Sequence, residues 1–319
     1  HLGGLPVLLR EHPDTPVITS AESHLLFERL LHNSVNVMQR QRAELGIGEY
    51  PLFTHAEIKH GARQVLPMRC GIPRVLESLD GDRITFTLYP AGHIPGAVGI
   101  LLEYRKRKIF FTGDVLFSDT TILDGARFPK GEVDTLILET TRGMTERDEN
   151  QSRESEIRRL LQKIRQVCRQ GGSVLIPVFA LGRMQEILAI LHEGRNGGLI
   201  SNYPIYASGL GMDLINQFDQ ISKKLDGVRF RRRILRDLQV QKLPEKHRPG
   251  KTGPAIYVLS SGMMVEKTPS YKACAALLND AQNAICFVGY CDPDTPGGQL
   301  LSRAEGESLI FDSLDRSVK

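Results

Sequence analysis

Three short apolar runs, each followed at once by small residues, constrain the fold of this 319-residue chain most strongly. The runs lie at residues 173–179, 255–259 and 284–288, and the first leads directly into a helical segment at residues 184–191. Apolar strands that alternate with helices are typical of a mainly parallel sheet, in which ligands bind at the carboxyl ends of the strands. The pattern therefore predicts an α/β domain with a binding edge formed by small residues.

Four residues of these strand-end turns are candidates for binding a phosphate-bearing ligand: Gly182, Arg183, Ser261 and Gly262. Gly182 permits close approach of the backbone, and N–H groups at the start of a helix bind phosphate. Arg183 is placed to pair with a phosphate group. A tight strand-to-helix turn, with Arg183 in an ordinary surface salt bridge, explains the same residues equally well.

A β-hairpin in the first half of the chain carries polar residues at both of its ends. Residues 98–104 and 108–112 read as apolar strands, joined by a basic turn at residues 105–108. His93 precedes the first strand and Asp114 follows the second, so antiparallel pairing brings both to one edge of the sheet. The two side chains form either an ordinary hydrogen-bonded pair or two ligands of one metal ion.

The elements around this hairpin are also readable from the sequence. Residues 17–19 predict a short strand, Ser20 a helix N-cap, and residues 21–37 the helix that follows. Residues 133–138 predict another strand, which runs directly into Glu139. The composition then turns polar at residues 145–150, where few contacts are expected to cross. We therefore predict two domains, at residues 1–145 and 146–319.

Composition and charge limit the class of protein. Hydrophobic residues make up 41% of the chain and charged residues 24%, as in an ordinary soluble globular protein. No apolar run approaches the length of a membrane span, and no signal peptide is evident. The five cysteines are scattered and contain no CxxC pair, which favours a reducing, cytoplasmic location.

Basic residues cluster although the net charge is only +4. Five arginines fall within residues 229–236, and four further basic residues or histidines follow within residues 246–251. Such clusters suit a polyanionic partner, and a solvated surface face is an equally good reading.

Six motifs in order resemble one known family. They are Gly-His-Ile-Pro-Gly-Ala, Phe-Thr-Gly-Asp, Asp-Thr-Leu-Ile-Leu-Glu-Thr-Thr, Pro-Val-Phe-Ala-Leu-Gly-Arg-Met-Gln-Glu, Ser-Ser-Gly-Met and Gly-Tyr-Cys. Their order resembles the β-CASP branch of the metallo-β-lactamase superfamily, which contains ribonuclease J and the cleavage-and-polyadenylation endonuclease. The resemblance covers nearly the whole chain.

The resemblance implies a fold and an activity. The fold would be α/β, a partial metallo-β-lactamase αββα sandwich plus a β-CASP cap domain with a mainly parallel sheet. The activity would be that of a zinc-dependent, RNA-processing ribonuclease with its active site between the two domains. A catalytically inactive RNA-binding or scaffold homologue is the alternative. A small-molecule metallohydrolase is disfavoured, because residues 146–319 resemble the domain that grips nucleic acid.

The resemblance also implies roles for individual residues. His93 would ligate one zinc ion, His1 would ligate the second, and Asp114 would bridge both. Glu139 would serve catalysis by orienting a downstream histidine. Imidazole nitrogen and carboxylate oxygen are ordinary zinc ligands, and two such ions activate water for attack on a phosphodiester. We expect His93, Asp114 and Glu139 to lie within roughly 12 Å of one another, in the groove between the domains.

The chain also departs from the family pattern. The family's His-x-His-x-Asp segment before His1 and its later histidines are absent, so the chain resembles a family member truncated at both ends. Arg142 replaces the usual tyrosine. We expect this chain by itself neither to hold two zinc ions nor to cleave RNA, and its first domain to expose an apolar sheet face.

The partners implied are single-stranded RNA and no membrane, with a homodimer or a larger processing complex left open. Endonuclease and exonuclease action, RNA and DNA substrates, and any sequence preference also stay open at this point.

Overall fold

The computed structural model describes residues 2–78, 80–146, 151–244 and 246–311, and the backbone of residues 316–318. The chain forms two compact units. Unit 1 comprises His1–Met144 with Gln220–Val228, and unit 2 comprises Thr145–Asp219 with Arg229–Lys319. Part of the polar junction predicted at 145–150 lies outside the described residues, and the domain limits 1–145 and 146–319 stay a prediction.

Unit 1 combines three helices with two small sheets. Its helices are α1 (Leu5–Glu11), α2 (Ala21–Leu45) and α3 (His55–Gly61), with 3₁₀ turns at Leu2–Gly4 and Ala62–Gln64. Its strands are β1 (Val17–Ser20), β2 (Val65–Met68), β3 (Arg74–Glu77), β4 (Arg83–Pro90), β5 (Val98–Tyr104), β6 (Arg107–Phe111) and β7 (Thr135–Ile137). Strands β1 and β2 pair in parallel, and the other five form one sheet in chain order.

The predicted hairpin is confirmed as β5 and β6, which pair antiparallel. Tyr104 pairs with Arg107, so the turn consists of Arg105 and Lys106 alone, tighter than the four-residue turn predicted. Arg105 has a φ of 54°, in the left-handed region that such two-residue turns require. Strand β7 then pairs in parallel with β6, which sets the end of β7 beside the end of β6.

Helix α2 is the longest element of unit 1. It begins as predicted, because the Ser20 hydroxyl accepts a hydrogen bond from the Ser23 N–H at 3.2 Å and caps the first turn. The predicted end at residue 37 was too early, since the following polar residues are good helix formers. The helix ends at Gly46, whose φ of 69° gives the left-handed cap. Its buried side chains form a core with Phe53 and Ile58.

Unit 2 contains seven helices and seven strands within the described residues, with the end of α7 counted in unit 1. The helices are α4 (Arg153–Arg169), α5 (Arg183–Asn196), α6 (Leu210–Asp213), α7 (Ile215–Lys224), α8 (Arg233–Asp237), α9 (Pro269–Leu277) and α10 (Pro296–Ser302). The strands are β8 (Val174–Pro177), β9 (Ile205–Ser208), β10 (Gln241–Lys242), β11 (Ile256–Leu259), β12 (Ala284–Ile285), β13 (Leu309–Phe311) and β14 (Arg316–Val318). No helix among the described residues has the length and apolarity that crossing a bilayer requires.

The main sheet of unit 2 has the strand order β10-β9-β11-β8-β12, and every pair in it is parallel. This confirms the predicted parallel sheet, with strands shorter than the apolar runs suggested. Every residue of β8 and β11 is buried, which explains their unbroken apolar sequence. Strands β13 and β14 form a separate antiparallel pair.

Residues Gln220–Val228 pack with unit 1 although they are distant from it in sequence. Leu123 and Val228 form an antiparallel bridge, and the Asp124 N–H donates to the Gly227 carbonyl at 2.9 Å. No periodicity in the sequence indicates this crossover, because the contact depends on the fold of both segments.

Candidate functional site

His93 and Asp114 lie on neighbouring backbone segments of unit 1. Gly92 and Val115 form an antiparallel bridge, and the Leu116 N–H donates to the Ala91 carbonyl at 2.9 Å. Residues 93 and 114 each lie one position beyond this isolated bridge, so the two loops approach each other there. Both side chains are exposed. The structure therefore places the backbone of His93 and of Asp114 on adjacent segments, at the edge predicted from the hairpin.

Gly92 makes this bridge possible. Its φ is +72°, and a Cβ built on it would lie 2.2 Å from the Leu116 carbonyl oxygen and 2.5 Å from the Ala126 nitrogen. Backbone atoms on both sides leave no room for a side chain. The close approach of these segments fixes the position of the next residue, His93.

The far end of the His93 loop is attached to the start of α2. The hydroxyls of Ser20 and Ser23 donate to the Gly96 carbonyl at 2.8 and 3.1 Å. A Cβ on Gly96, whose φ is +88°, would lie 2.4 Å from the Ser23 Oγ. The loop that carries His93 is thus held at both ends, by the bridge at Gly92 and by the capped helix.

Glu139 follows β7 and turns its carboxylate onto the Asp114 segment. The Val115 N–H donates to Glu139 Oε1 at 2.9 Å, and the Thr141 N–H donates to Glu139 Oε2 at 3.2 Å. The carboxylate therefore ties the turn after β6 to the turn after β7. The predicted convergence of Glu139 with the neighbourhood of Asp114 agrees with these contacts.

The charge of Glu139 is stabilised by the same contacts. Hydrogen bonding from Thr141 lowers the pKa of the Glu139 carboxyl most, the Val115 N–H lowers it further, and His93 contributes electrostatically. Burial acts in the opposite direction but does not outweigh these donors. Through these hydrogen bonds Glu139 orders the backbone beside Asp114.

The side-chain types at this edge, an imidazole and a carboxylate, suit a divalent metal ion. Two such ligands are fewer than a catalytic zinc ion needs. His93 and Asp114 supply one nitrogen and one oxygen ligand, whereas a catalytic zinc needs about three protein ligands. Across the parts of the chain that the structure describes, no group of three or more His, Cys, Asp or Glu side chains is arranged to hold a metal. His1, the third expected ligand, lies outside the described residues.

The predicted phosphate-binding residues lie at the carboxyl edge of the unit 2 sheet. Strands β8 and β11 are adjacent, and α9 packs on the face that presents Leu175 and Leu259. Because side chains alternate along a strand, we infer that α5, which contacts β11, covers the opposite face. The strands therefore flank the point where helix direction reverses, the usual place for a ligand crevice in such sheets.

Ser261 and Gly262 form the turn after β11. A Cβ on Gly262 would lie 2.9 Å from the Phe179 nitrogen and 2.8 Å from its ring, so the turns after β8 and β11 are in direct contact. The Ser261 carbonyl accepts from the Ser270 hydroxyl at 2.7 Å, which ties the turn to α9. The structure thus brings the two predicted turns together.

Gly182 corrects one part of the phosphate prediction. Its N–H was expected to be available to a ligand, but it donates to Gln185 Oε1 at 2.9 Å. Gln185 is fully buried and its Nε2 donates to the carbonyls of Ala180 and Gly211. Gln185 therefore stabilises the turn from inside, and Arg183, the first residue of α5, is the remaining candidate for phosphate contact there.

Sequence reasoning also missed a histidine pair in unit 1. His32 and His55 were read as ordinary residues, yet their Nδ1 atoms are 2.7 Å apart. Burial lowers the pKa of His32 most, and the neighbouring His55 lowers it further. The pair depends on how α2 packs against α3, so no local pattern could have indicated it.

Comparison with known proteins identifies the class to which this fold and site belong. The model of the metallo-β-lactamase superfamily matches residues 1–166, and the model of the Beta-Casp domain matches residues 184–300. The chain belongs to the metallo-β-lactamase superfamily, in its β-CASP branch. Membership of this superfamily implies binding of a divalent metal ion.

Three curated relatives illustrate the similarity. The chain is 29% identical to the probable RNase MJ4 of Methanocaldococcus jannaschii, over 94% of this chain and 67% of that protein. It is 30% identical to the transcription termination factor FttA of Pyrococcus horikoshii, over 95% and 46% of the two chains. It is 26% identical to the RNase aCSPSF2 of Saccharolobus solfataricus, over 94% and 57%. The chain thus spans about half to two thirds of the length of these relatives.

Proposed function

We propose that the protein carrying this chain is a zinc-dependent ribonuclease that hydrolyses phosphodiester bonds during RNA processing. The observation that supports this proposal is the Gly92–Val115 bridge, which joins the segments that carry His93 and Asp114, together with the hydrogen bond from Val115 to Glu139. Two of the relatives are named as RNases, which supports RNA as the substrate and hydrolysis as the reaction. Five free thiols favour a reducing, intracellular location.

In the proposed enzyme, the residues of this chain would have different roles in binding metal and in positioning other groups. His93, Asp114 and His1 would hold the metal. When bound, the metal would lower the pKa of a water molecule and offset charge on the phosphodiester. Glu139 would keep the Asp114 turn in place through Val115 and orient a histidine supplied from outside this chain.

The edge formed by Arg183, Ser261 and Gly262 would bind the RNA backbone. Arginine pairs with phosphate oxygens through a planar array of donors, and turns of small residues admit the backbone closely. Single-stranded RNA is the proposed substrate, with action as a homodimer or in a larger processing complex left as alternatives.

A non-catalytic RNA-binding homologue is the second candidate. One observation favours it: a relative is named as a transcription termination factor rather than as a nuclease. An active enzyme needs further ligands from His1 and from flanking sequence.

The test compares variants of the protein with its flanking sequence present. Wild type, His93→Ala, Asp114→Asn and the exposed control His60→Ala are assayed for bound zinc and for cleavage of single-stranded RNA. We expect His93→Ala and Asp114→Asn to lose zinc and cleavage together, with His60→Ala unchanged. If the wild-type protein binds RNA but does not bind zinc and does not cleave RNA, the result would support the non-catalytic homologue instead.

A further inference from the structure

Two aromatic side chains are exposed at the carboxyl edge of the unit 2 sheet. Phe179 follows β8 and is 36% exposed, and Tyr290 follows β12 and is 66% exposed. Strand β12 pairs in parallel with β8, so both residues leave the sheet at the same edge. A single exposed aromatic residue is common on protein surfaces, but two at a ligand-binding edge need an explanation.

Two glycines bring these residues close together. A Cβ on Gly289, the residue before Tyr290, would lie 3.3 Å from the Phe179 ring, and a Cβ on Gly262 would lie 2.8 Å from it. The Phe179 ring thus rests on backbone from both neighbouring turns while part of it faces solvent. Tyr290 begins directly beside this ring.

The charges around Tyr290 exclude a phosphate at that position. The Tyr290 hydroxyl donates to Asp292 Oδ2 at 3.4 Å. The negative charge of Asp292 raises the pKa of the Tyr290 phenol, and Asp294 acts in the same direction. A phosphate group would be repelled there, whereas an uncharged nucleobase would not. The cationic Arg183 is the first residue of α5, four residues after Phe179.

We propose that Phe179 and Tyr290 form a stacking platform for the bases of single-stranded RNA, with the sugar-phosphate backbone directed toward Arg183. This inference rests on the proposed RNA-processing function and adds a base-binding subsite to it. Every base presents an aromatic face, so the platform tolerates any sequence. Bases within a duplex are already stacked and paired, so the platform selects unpaired strands.

The first experiment measures equilibrium binding of a short single-stranded RNA to the full chain. Tyr290→Leu removes the ring and Tyr290→Phe keeps it, while Phe117→Leu removes an equally exposed ring of unit 1 as the matched control. We expect Tyr290→Leu to weaken binding by about 5- to 100-fold, the range for loss of one base–aromatic stack. Tyr290→Phe and Phe117→Leu should bind within about twofold of wild type, since both leave the stack in place.

A second strand of the same length, carrying abasic sites, separates base contacts from phosphate contacts. The wild type should bind this strand more weakly than the base-bearing RNA, and Tyr290→Leu should abolish that difference. Equal binding of both strands by the wild type, or unchanged binding by Tyr290→Leu, would overturn the platform. Phe179→Leu is tested in the same way. If this variant lowers the unfolding temperature, the Tyr290 variants alone decide the outcome.

The absence of tryptophan from the chain provides a direct reporter. Tyr290→Trp introduces a single indole that can stack on a base, and its emission should be quenched by base-bearing RNA but not by the abasic strand. Phe117→Trp should show no quenching with either strand. Quenching of both reporters alike would contradict a base site at residue 290.

These outcomes distinguish the platform from the proposed ribonuclease function. If the protein with its flanking sequence cleaves RNA with zinc, and Tyr290→Leu changes neither affinity nor quenching, only the platform is wrong. If Tyr290→Leu weakens binding while the wild type never cleaves, the platform is supported and the catalytic proposal fails.

Discussion

The main sheets of the two units each have five strands, yet they bury those strands to different extents. In unit 2, β8 and β11 are buried at every residue, with helices on both faces. In unit 1, even the central strand β5 is only partly buried, and the edge strands β3 and β7 are exposed at every residue, as is the edge strand β10 of unit 2. Leu102, Phe111 and Ile137 lie on one face of that sheet and are 37–49% exposed. The apolar sheet face expected for the first half of the chain is thus exposed in part, while Phe86 and Leu88 on the same face are buried.

The difference in burial matches a difference in how the candidate sites are built. Unit 1 presents side chains, His93 and Asp114, from loops that are held by hydrogen bonds and by a glycine bridge. Unit 2 presents compact turns that pack on each other, with Gly262 against Phe179. The first site depends on a few backbone contacts between loops, and the second on turns that follow buried parallel strands. The two regions should therefore respond differently to mutation.

The largest expected effect is at the bridge of unit 1. Gly92→Ala must displace the Leu116 or Ala126 backbone and adopt a positive φ, so we expect a loss of more than about 2 kcal/mol in local stability. Gly46→Ala is the matched control, because Gly46 also has a positive φ but no atom within 4 Å of the added Cβ. Its cost should be about 1 kcal/mol, from the backbone alone.

Hydrogen exchange read by mass spectrometry measures this effect unit by unit, which matters because two compact units need not unfold together. Gly92→Ala should raise exchange around residues 91–97 and 112–116, and Gly262→Ala should raise it less, around residues 178–182. Equal responses of the two edges would contradict the contrast between them.

The next effect concerns Glu139 and metal binding. Glu139→Ala removes the acceptor of the Val115 and Thr141 N–H groups, so we expect about a 10- to 100-fold loss in metal affinity, as for other residues that orient ligands. Glu139→Gln retains one amide oxygen and should lose less. Isothermal titration with zinc provides the affinities, and full affinity in Glu139→Ala would show that Asp114 needs no support from this carboxylate.

A smaller effect is expected at Arg183 in unit 2. Arg183→Ala should weaken RNA binding uniformly across sequences and reduce the slope of affinity against salt by about one charge. Arg183→Lys, which keeps the charge, is the control for the slope. Unchanged affinity at several salt concentrations would support the reading of Arg183 as a structural salt-bridge residue.

The smallest effect is a pH dependence of unit 1. The pKa of His32 is lowered from 6.5 in the folded chain, so the unfolded chain takes up the proton first as the pH falls. The contribution of neutral His32 to the stability of the fold is therefore fully present above about pH 6.5, and it is lost as the pH falls toward the pKa of His32 in the folded chain. His32→Gln should reduce this acid sensitivity in unit 1, measured by hydrogen exchange at two pH values, and His60→Gln should not.

The sequence predicted the elements of the fold better than the contacts between them. The hairpin of β5 and β6, the Ser20 cap and the parallel strands β8 and β11 follow from local chemistry, namely turn residues, capping hydroxyls and apolar runs. The ends of strands were predicted less accurately. The apolar run at residues 284–288 suggested a longer strand than β12, because pairing with the neighbouring strand decides where β12 ends.

The candidate sites show the same limit. The neighbouring positions of His93 and Asp114 could be deduced, because antiparallel pairing alone brings the ends of a hairpin together. The bond from Gly182 to Gln185, the platform residues Phe179 and Tyr290, and the carboxylate contacts of Glu139 could not. Each depends on side-chain direction and on strands far apart in the chain, which residue spacing does not encode.

We predict that the metal centre is built on unit 1 around His93 and Asp114, and that it needs ligands besides these two. The most direct measurement is a zinc titration of this chain, of a version extended at both ends, and of the extended version with Asp114→Asn, followed by cleavage of single-stranded RNA. We predict two tightly bound zinc ions and cleavage only for the extended wild type. Two tightly bound zinc ions or metal-dependent cleavage in the short chain, or both retained in Asp114→Asn, would contradict the claim.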